Sequence, residues 1–157
     1  MKLQILAVGK LRVPYFEAGV HEYMTRIEHM LPIEQVEVPS GAGEESNGKG
    51  EGALVREGER LLRVVKPQTV IVTMDAAGQQ MTSEQFSAWI QERMNESAER
   101  IAFIIGGAWG IDKRITEIAK LRLSLSKMTM PHELARLVLV EQIYRALTLW
   151  KGHPYHK

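Results

Sequence analysis

The stretch TVIVTMD, residues 69–75, predicts a strand that is buried on both faces of a sheet. It is a continuous apolar run rich in β-branched residues, a pattern typical of parallel sheets, in which helices cover both faces. Two similar runs, IAFIIGG at residues 101–107 and LQILAVG at residues 3–9, end in glycine, where the chain is expected to leave the sheet. These three runs indicate an α/β protein.

The segments between these runs complete the pattern. Apolar residues recur at helical spacing, and Thr82 with Gln85 forms a capping box that opens one helix. IEQVEV alternates apolar and polar residues, so it is expected nearer a sheet edge. The predicted strands are 3–9, 33–38, 69–75, 101–107 and 121–126, and the predicted helices are 13–30, 53–65, 82–94, 113–120 and 131–150. The order βαβαβαβαβα predicts one domain, residues 1–157, with a parallel sheet.

Composition bounds the class of protein. The 157 residues are 45% apolar and 25% charged, which is ordinary for a folded globular chain. The absence of cysteine excludes disulfides, thiolate metal sites and cysteine nucleophiles, and it favours a cytoplasmic location. The N-terminal apolar run is too short for a secretory signal, and no run reaches the length of a membrane span, so no membrane association is expected.

Charge is distributed unevenly along the chain. Residues 1–112 hold 11 Lys and Arg against 16 Asp and Glu, whereas residues 113–157 hold 9 against 3. A basic segment attached to an acidic body is either a nucleic-acid face or a solvated helix face with surplus lysines.

The loop GEESNGKG, residues 43–50, matches seven of the eight positions of a phosphate-binding P-loop. The eighth position must supply a hydroxyl to magnesium, and Gly50 has none. The preceding strand alternates instead of being apolar throughout, and Glu44 and Glu45 would repel phosphate. An NTPase is therefore a minor alternative, and a mobile surface loop is favoured.

Other catalytic motifs are incomplete. HELAR, residues 132–136, begins like a zinc-binding helix, but Arg136 stands where the second histidine is required. His153 and His156 lack a third ligand, so no metal site is predicted. GGAWG, residues 106–110, does not have the spacing of a dinucleotide-binding motif.

Three predicted strand ends converge at one edge of the sheet, where ligands of open parallel sheets bind. They are residues 73–75, 105–107 and 124–126. Glycines there allow a ligand to approach the backbone, and the side chains that follow offer apolar walls and hydroxyls suited to a flat aromatic base: Leu125, Met128, Met130, Ser126 and Thr129. The alternative is that these residues are core packing and turns.

The last helix is apolar on nearly every face, which predicts burial on more than one side and makes a homodimer the economical arrangement. Its polar residues Arg136, Glu141 and Arg145 are either an interface pair or an RNA-facing site. The tail KGHPYHK offers Tyr155 for stacking on a base.

The segments VTMD, IIGGAWG, LSLSKMTMPHELARLVLVEQIYRA and HPYHK closely resemble the ribosomal RNA large subunit methyltransferase H family along the whole chain. The resemblance implies a SPOUT-class enzyme: a dimer with a deep trefoil knot, whose knotted, cofactor-binding part is roughly residues 70–157. It also implies transfer of a methyl group from S-adenosylmethionine, without a metal, to N-3 of a pseudouridine in 23S rRNA.

By position, the resemblance assigns the cofactor site to Met74, Gly106, Leu125, Ser126, Lys127, Met128, Thr129 and Met130. It assigns substrate binding to His132 and Arg136, and a catalytic role to Arg145, Tyr155 and His156, reaching across the dimer. One departure is Ala108, where the family often has proline after the glycine pair.

Methyl transfer from a sulfonium needs positioning of the acceptor nitrogen and loss of its imide proton. His132 and His156 are candidate bases because histidine is the side chain that most readily exchanges a proton near neutral pH, and water is a further candidate. The rival class is a non-catalytic ribosome-binding factor, which would have no use for S-adenosylmethionine.

Overall fold

The computed structural model describes residues 1–41 and 50–156. Strands and helices alternate strictly along the chain, as the sequence predicts. The elements are β1 Lys2–Val8, α1 Pro14–Glu28, β2 Ile33–Val38, α2 Glu51–Val64, β3 Thr69–Gln80, α3 Ser83–Asn95, β4 Arg100–Ile105, α4 Lys113–Ile118, β5 Leu121–Ser124, α5 His132–Trp150 and a final 3-10 turn, Pro154–His156. The capping box of Thr82 and Gln85 is present at the start of α3.

The five strands form one sheet in the order β2-β1-β4-β3-β5, and every neighbouring pair is parallel. The predicted parallel α/β fold is therefore confirmed. The alternating strand β2 lies at the edge, as its pattern predicts, because one of its faces is wet. The fully apolar β4 lies at the centre between β1 and β3.

Helices cover both faces of the sheet because successive side chains of the strands point to opposite sides. Ile5 and Phe103 belong to a core with α1, α3 and α5, whereas their neighbours Leu6 and Ile104 belong to a second core with α2 and α4. All four side chains are fully buried. The two cores fix the sheet rigidly, and its carboxyl edge remains open for a site.

Helix α5 packs against α1, α3 and β4 of its own chain. Its buried side chains are Arg136, Leu139, Val140, Ile143, Ala146, Leu147 and Thr148. The apolar character of this helix is thus largely explained within one chain, and it does not by itself require a second copy. The homodimer stays a prediction.

The largest departure from the predicted bounds is in β3, which continues from residue 75 to Gln80. Its pairing with β5 shifts register between Met74 and Gln79, so residues between them bulge from the ladder and the strand resumes beyond them. A bulge cannot be seen in an apolar run that ends at residue 75. The strand β5 is shorter than predicted and ends at Ser124, because residues 125–130 turn away over the sheet edge.

The P-loop-like segment falls on residues 43–49, which lie outside the described residues, and on Gly50. Gly50 has a φ of +62° and precedes α2. Within the described residues, no helix has both the length and the hydropathy that a membrane crossing requires. The trefoil knot stays a prediction.

Candidate functional site

A cavity of about 680 Å³ opens at the carboxyl ends of β1, β3, β4 and β5. Seven residues of the predicted cofactor site line it together, namely Met74, Gly106, Leu125, Ser126, Met128, Thr129 and Met130. Lys127 is exposed and does not line the cavity. The three strand ends singled out from the sequence therefore do converge.

The turn that follows β5 is shaped by its own hydroxyls. The Ser124 hydroxyl lies 3.0 Å from the carbonyl oxygens of both Ala76 and Ser126 and donates to one of them at a time. The Ser126 hydroxyl accepts a hydrogen bond of 3.0 Å from the backbone N–H of Met128. These bonds leave Met128 79% exposed at the cavity mouth, where an apolar side chain is available to a ligand or a partner.

The glycine loop, residues 106–110, is tightly folded on itself. A Cβ atom at Gly106 would lie 2.2 Å from the carbonyl oxygen of Gly110. The sequence-based argument was that Gly106 lets a ligand approach the backbone. The structure corrects the reason, because the space that a side chain would need is filled by the loop's own backbone.

Helix α2 supports the glycine loop from behind. A Cβ at Gly107 would lie 3.0 Å from the Glu57 carboxylate, and a Cβ at Gly58 would lie 2.5 Å from the Asp112 side chain. The Trp109 ring covers Gly50. The position of Ala108, which departs from the family pattern, is thus held by contacts on either side rather than by a proline ring.

Glu57 is a buried carboxylate beside the cavity, with 2% of its surface exposed. Its Oε1 accepts hydrogen bonds from the backbone N–H of Gly41 (2.9 Å) and the hydroxyl of Ser40 (3.2 Å). Its Oε2 is buried and has no hydrogen-bond partner. A buried polar atom without a partner is costly, so a ligand or water that reaches it would be stabilised.

Asp75 lines the cavity and is paired with Arg122 at 2.5 Å. The Arg122 guanidinium, together with the backbone N–H of Ala77, lowers the pKa of this carboxyl. Asp75 therefore remains ionised and neutralised at neutral pH.

His132 is the first residue of α5 and lines the cavity, near Gly9. Its Nδ1 is buried and lacks a hydrogen-bond partner. The structure thus places this predicted substrate residue in the same cavity as the predicted cofactor residues. Within residues 1–41 and 50–156, no three His, Asp or Glu side chains are grouped to hold a metal ion.

Arg136 is placed differently from its predicted role. Its side chain has no exposed surface, and its guanidinium binds the Glu37 carboxylate at 2.5 Å and the carbonyl oxygen of Gly9 at 2.9 Å. Because a fully buried, paired guanidinium cannot touch RNA from within its own chain, Arg136 is a structural cation here rather than a direct substrate contact.

A second polar cluster lies near the other end of α5, where the tail folds back. Arg145 binds Glu141 at 2.6 Å and lies over the Tyr155 ring at 4.9 Å. The Tyr155 hydroxyl lies 3.1 Å from the same carboxylate and 3.2 Å from the Tyr23 hydroxyl. Burial, followed by the bond with Tyr23 and the charge of Glu141, raises the pKa of Tyr155, so its phenol stays protonated and acts as a donor.

His156 completes this tail cluster, and its Nε2 lies 2.9 Å from the Glu84 carboxylate. Thirteen residues of helix separate His132 from Arg145, a distance of about 20 Å at 1.5 Å per residue. One chain therefore does not bring the three predicted catalytic residues to the cavity. The cavity and the tail cluster are two separate halves of the predicted site.

Sequence reasoning missed two residues that line the cavity, Lys10 and Arg12, and the buried Glu57 behind Gly107. Lys10 and Arg12 follow β1, whose glycine end was predicted but was not counted among the converging strand ends. That strand end was the available signal. Glu57 had none, since one acidic residue in a helical pattern does not differ from a solvated one.

A family model described as predicted SPOUT methyltransferase matches residues 1–156. Two relatives, each aligned over its whole length and the whole of this chain, carry the name ribosomal RNA large subunit methyltransferase H. The protein from Ruminiclostridium cellulolyticum is 43% identical and that from Carboxydothermus hydrogenoformans is 36% identical.

Among solved structures, a probable methyltransferase from Bordetella pertussis Tohama I has the same fold, with a TM-score of 0.56 and 12% identity. The match covers 92% of this chain and 95% of that one. The family resemblance seen in the sequence motifs is confirmed by the full-length matches. The chain belongs to the SPOUT methyltransferase family and, within it, to the ribosomal RNA large subunit methyltransferase H family.

Proposed function

We propose that the protein transfers the methyl group of S-adenosylmethionine to N-3 of a pseudouridine in 23S rRNA of the large ribosomal subunit. The observation that carries the proposal is the single cavity at four strand ends, which gathers seven of the eight residues that the family pattern assigns to the cofactor. The relatives' names supply the rRNA of the large subunit. Such a substrate implies a cytoplasmic protein.

The cavity fits the proposed cofactor. Its volume is within the range of about 300–1,000 Å³ that small-molecule sites occupy. Its walls carry thioether and aliphatic side chains suited to an adenine ring: Met74, Ile105, Leu125, Met128 and Met130. His132 lines the cavity, and its unpartnered Nδ1 offers a hydrogen bond to a polar part of a ligand. When bound, S-adenosylmethionine supplies an activated methyl group on its sulfonium, which requires no metal.

The chain's own residues must hold the acceptor base and take its imide proton. The Tyr155 ring is fixed by Arg145 and by an edge contact with Tyr144 at 4.7 Å, so it presents a rigid aromatic surface for stacking. Its neutral phenol donates a hydrogen bond and does not act as a base. His132, which lines the cavity with a free Nδ1, is the proposed acceptor of the proton.

A homodimer follows from the separation of the two halves of the site. Because about 20 Å of helix lies between the cavity end and the tail cluster of one chain, the proposed acceptor site combines the cavity of one protomer with the tail of its partner. The exposed Met128 and Trp109 at the cavity side of the molecule are apolar surfaces that a second copy would cover.

Mixed dimers test this arrangement. One variant, Thr129→Trp, fills the cavity from an exposed position, and the other lacks residues 154–157. Each homodimer should keep at most about a tenth of the wild-type rate of methyl transfer to ribosomes that lack the modification. Co-expression of the two variants should restore about a quarter of the wild-type activity, since half of the dimers are mixed and each has one intact composite site.

Two results would contradict the proposal. If mixed dimers of confirmed composition recover no methyl transfer, the cavity and the tail of the same chain must form the site. Absence of S-adenosylmethionine binding by wild-type protein in calorimetry, with ribosome binding retained, would favour the non-catalytic ribosome-binding factor.

A further inference from the structure

The loop that joins β1 to α1, residues 9–13, is held by hydrogen bonds to the backbone of four of its five residues: Gly9, Leu11, Arg12 and Val13. Hereafter it is called the basic loop. Gly9 donates to the carbonyl oxygen of Val38 at 2.9 Å and accepts from Arg136 at 2.9 Å. The backbone N–H of Leu11 lies 3.4 Å from the Glu37 carboxylate. The basic loop is thus fixed to the edge strand β2 and to the first turns of α5.

Glu133 anchors the second half of the basic loop. Its carboxylate accepts hydrogen bonds from the backbone N–H groups of Arg12 and Val13, the latter at 3.1 Å. These two bonds lower the pKa of Glu133, so its charge persists at neutral pH. These backbone anchors fix the points from which the side chains of the basic loop extend.

The two cationic side chains of the basic loop are unpaired. Lys10 and Arg12 are exposed and line the cavity mouth, and neither side chain makes a hydrogen bond or ion pair with any part of the chain that the structure describes. By contrast, the cavity's carboxylate, Asp75, is neutralised by Arg122. The cavity mouth therefore presents two cationic side chains that have no side-chain partner among the described residues, on a backbone that is anchored on both sides.

We propose that Lys10 and Arg12 bind phosphate groups of the RNA strand next to the target nucleotide, and that Glu133 and Arg136 position them by holding the basic loop. This inference rests on the proposed function, because it concerns the same cavity. Phosphate contacts orient a nucleic acid without reading its sequence, which suits residues at the rim of a site that acts on one base. The cationic side chains of Lys10 and Arg12 suit a phosphodiester group, because this group is anionic and lies outside the pocket that holds the target base.

Salt dependence of binding distinguishes phosphate contacts from other roles. Binding of the full-length protein to ribosomes lacking the modification is measured by co-sedimentation at several salt concentrations. For single-stranded RNA each phosphate contact contributes about 0.7 to the slope of log affinity against log salt, so Lys10→Ala/Arg12→Ala should lower the slope by about 1.4. Between about 50 and 200 mM salt, wild-type affinity should then fall about sevenfold more than that of the variant.

Matched variants complete the test. Lys66→Ala/Lys120→Ala removes two exposed lysines next to the amino ends of β3 and β5, at the opposite edge of the sheet, and should leave the slope unchanged. Lys10→Arg/Arg12→Lys keeps both charges and should retain the wild-type slope. Calorimetry with S-adenosylmethionine on the same preparations should show equal affinity for all variants.

The outcomes separate this inference from the proposed function. If the salt slope of Lys10→Ala/Arg12→Ala equals that of the wild type, and the wild-type protein transfers the methyl group, the phosphate contacts are overturned and the proposed function stands. Weaker S-adenosylmethionine binding by that variant would assign the two cations to the cofactor instead and also overturns the inference. If wild-type protein neither binds ribosomes nor transfers a methyl group, the proposed function itself fails.

Discussion

Replacing Arg136 by methionine should destabilise the protein by about 3 kcal/mol, because it leaves a charged partner inside the fold. Removing one member of a buried ion pair costs about 3–5 kcal/mol. The lower value applies here since the Glu37 side chain keeps 24% of its surface exposed and retains a hydrogen bond from Gln35 at 3.1 Å. The carbonyl oxygen of Gly9 also loses its donor. For a chain of this length, 3 kcal/mol corresponds to a fall in melting temperature of about 6–12 °C.

Urea unfolding followed by circular dichroism gives the free energy of unfolding for this test. The control is Glu37→Gln/Arg136→Met, in which a neutral amide replaces the unpaired carboxylate. This double variant should recover at least half of the lost free energy of unfolding. Wild-type stability in Arg136→Met would refute the buried ion pair. Loss of methyl transfer without loss of stability would show that Arg136 touches the substrate, as the family pattern implies, and that its burial in one chain is misleading.

Three further predictions follow from the site. Because Arg122 lowers the pKa of Asp75, this carboxylate stabilises the fold fully above its unfolded pKa of about 3.9, and the stabilisation is lost as pH falls through the lower folded pKa. Asp75→Asn should therefore make the free energy of unfolding fall less steeply with decreasing pH below about pH 4. The same slope in the variant and the wild type would contradict the pairing of Asp75 with Arg122. Gly106→Ala should weaken S-adenosylmethionine binding by distorting the glycine loop, whereas Gly52→Ala, whose Cβ would meet only the guanidinium at the end of the long Arg56 side chain, should bind normally; equal calorimetric affinities for the two variants would show that a side chain at position 106 does not distort the loop. Deleting residues 154–157 should leave cofactor affinity intact and reduce methyl transfer roughly ten- to a hundredfold, since stacking on an aromatic ring is worth about 1–3 kcal/mol; full activity would remove Tyr155 from the acceptor site.

The order of elements and the parallel sheet could be predicted because each strand and helix carries its own periodicity. Continuous apolar runs mark β3 and β4 as buried on both faces, and the alternation in residues 33–38 marks an edge. The bulge after Met74 could not be predicted, because it depends on how β3 pairs with β5, a contact between distant parts of the chain. Strand length is thus decided by tertiary pairing.

The position of the cavity could also be predicted, since parallel strand ends meet at one edge. The burial and pairing of charged residues could not be predicted. Arg136 looks like a surface cation in the sequence, yet it is fully buried, because Glu37 lies 99 positions away in sequence and 2.5 Å away in space. The separation of the tail cluster from the cavity follows from the length of α5, which the sequence does contain, but only the fold shows that the tail packs back on its own helix.

The position of the transferred methyl group decides whether the protein is a pseudouridine N-3 methyltransferase. Ribosomes that lack the modification are incubated with the protein and S-adenosylmethionine carrying a labelled methyl group, and the 23S rRNA is digested to nucleosides and analysed by mass spectrometry. We expect label in one nucleoside, a pseudouridine methylated at N-3, with no divalent metal required. Label on a different atom or base, or in ribosomal protein, would contradict it, as would the absence of label with a protein that binds S-adenosylmethionine.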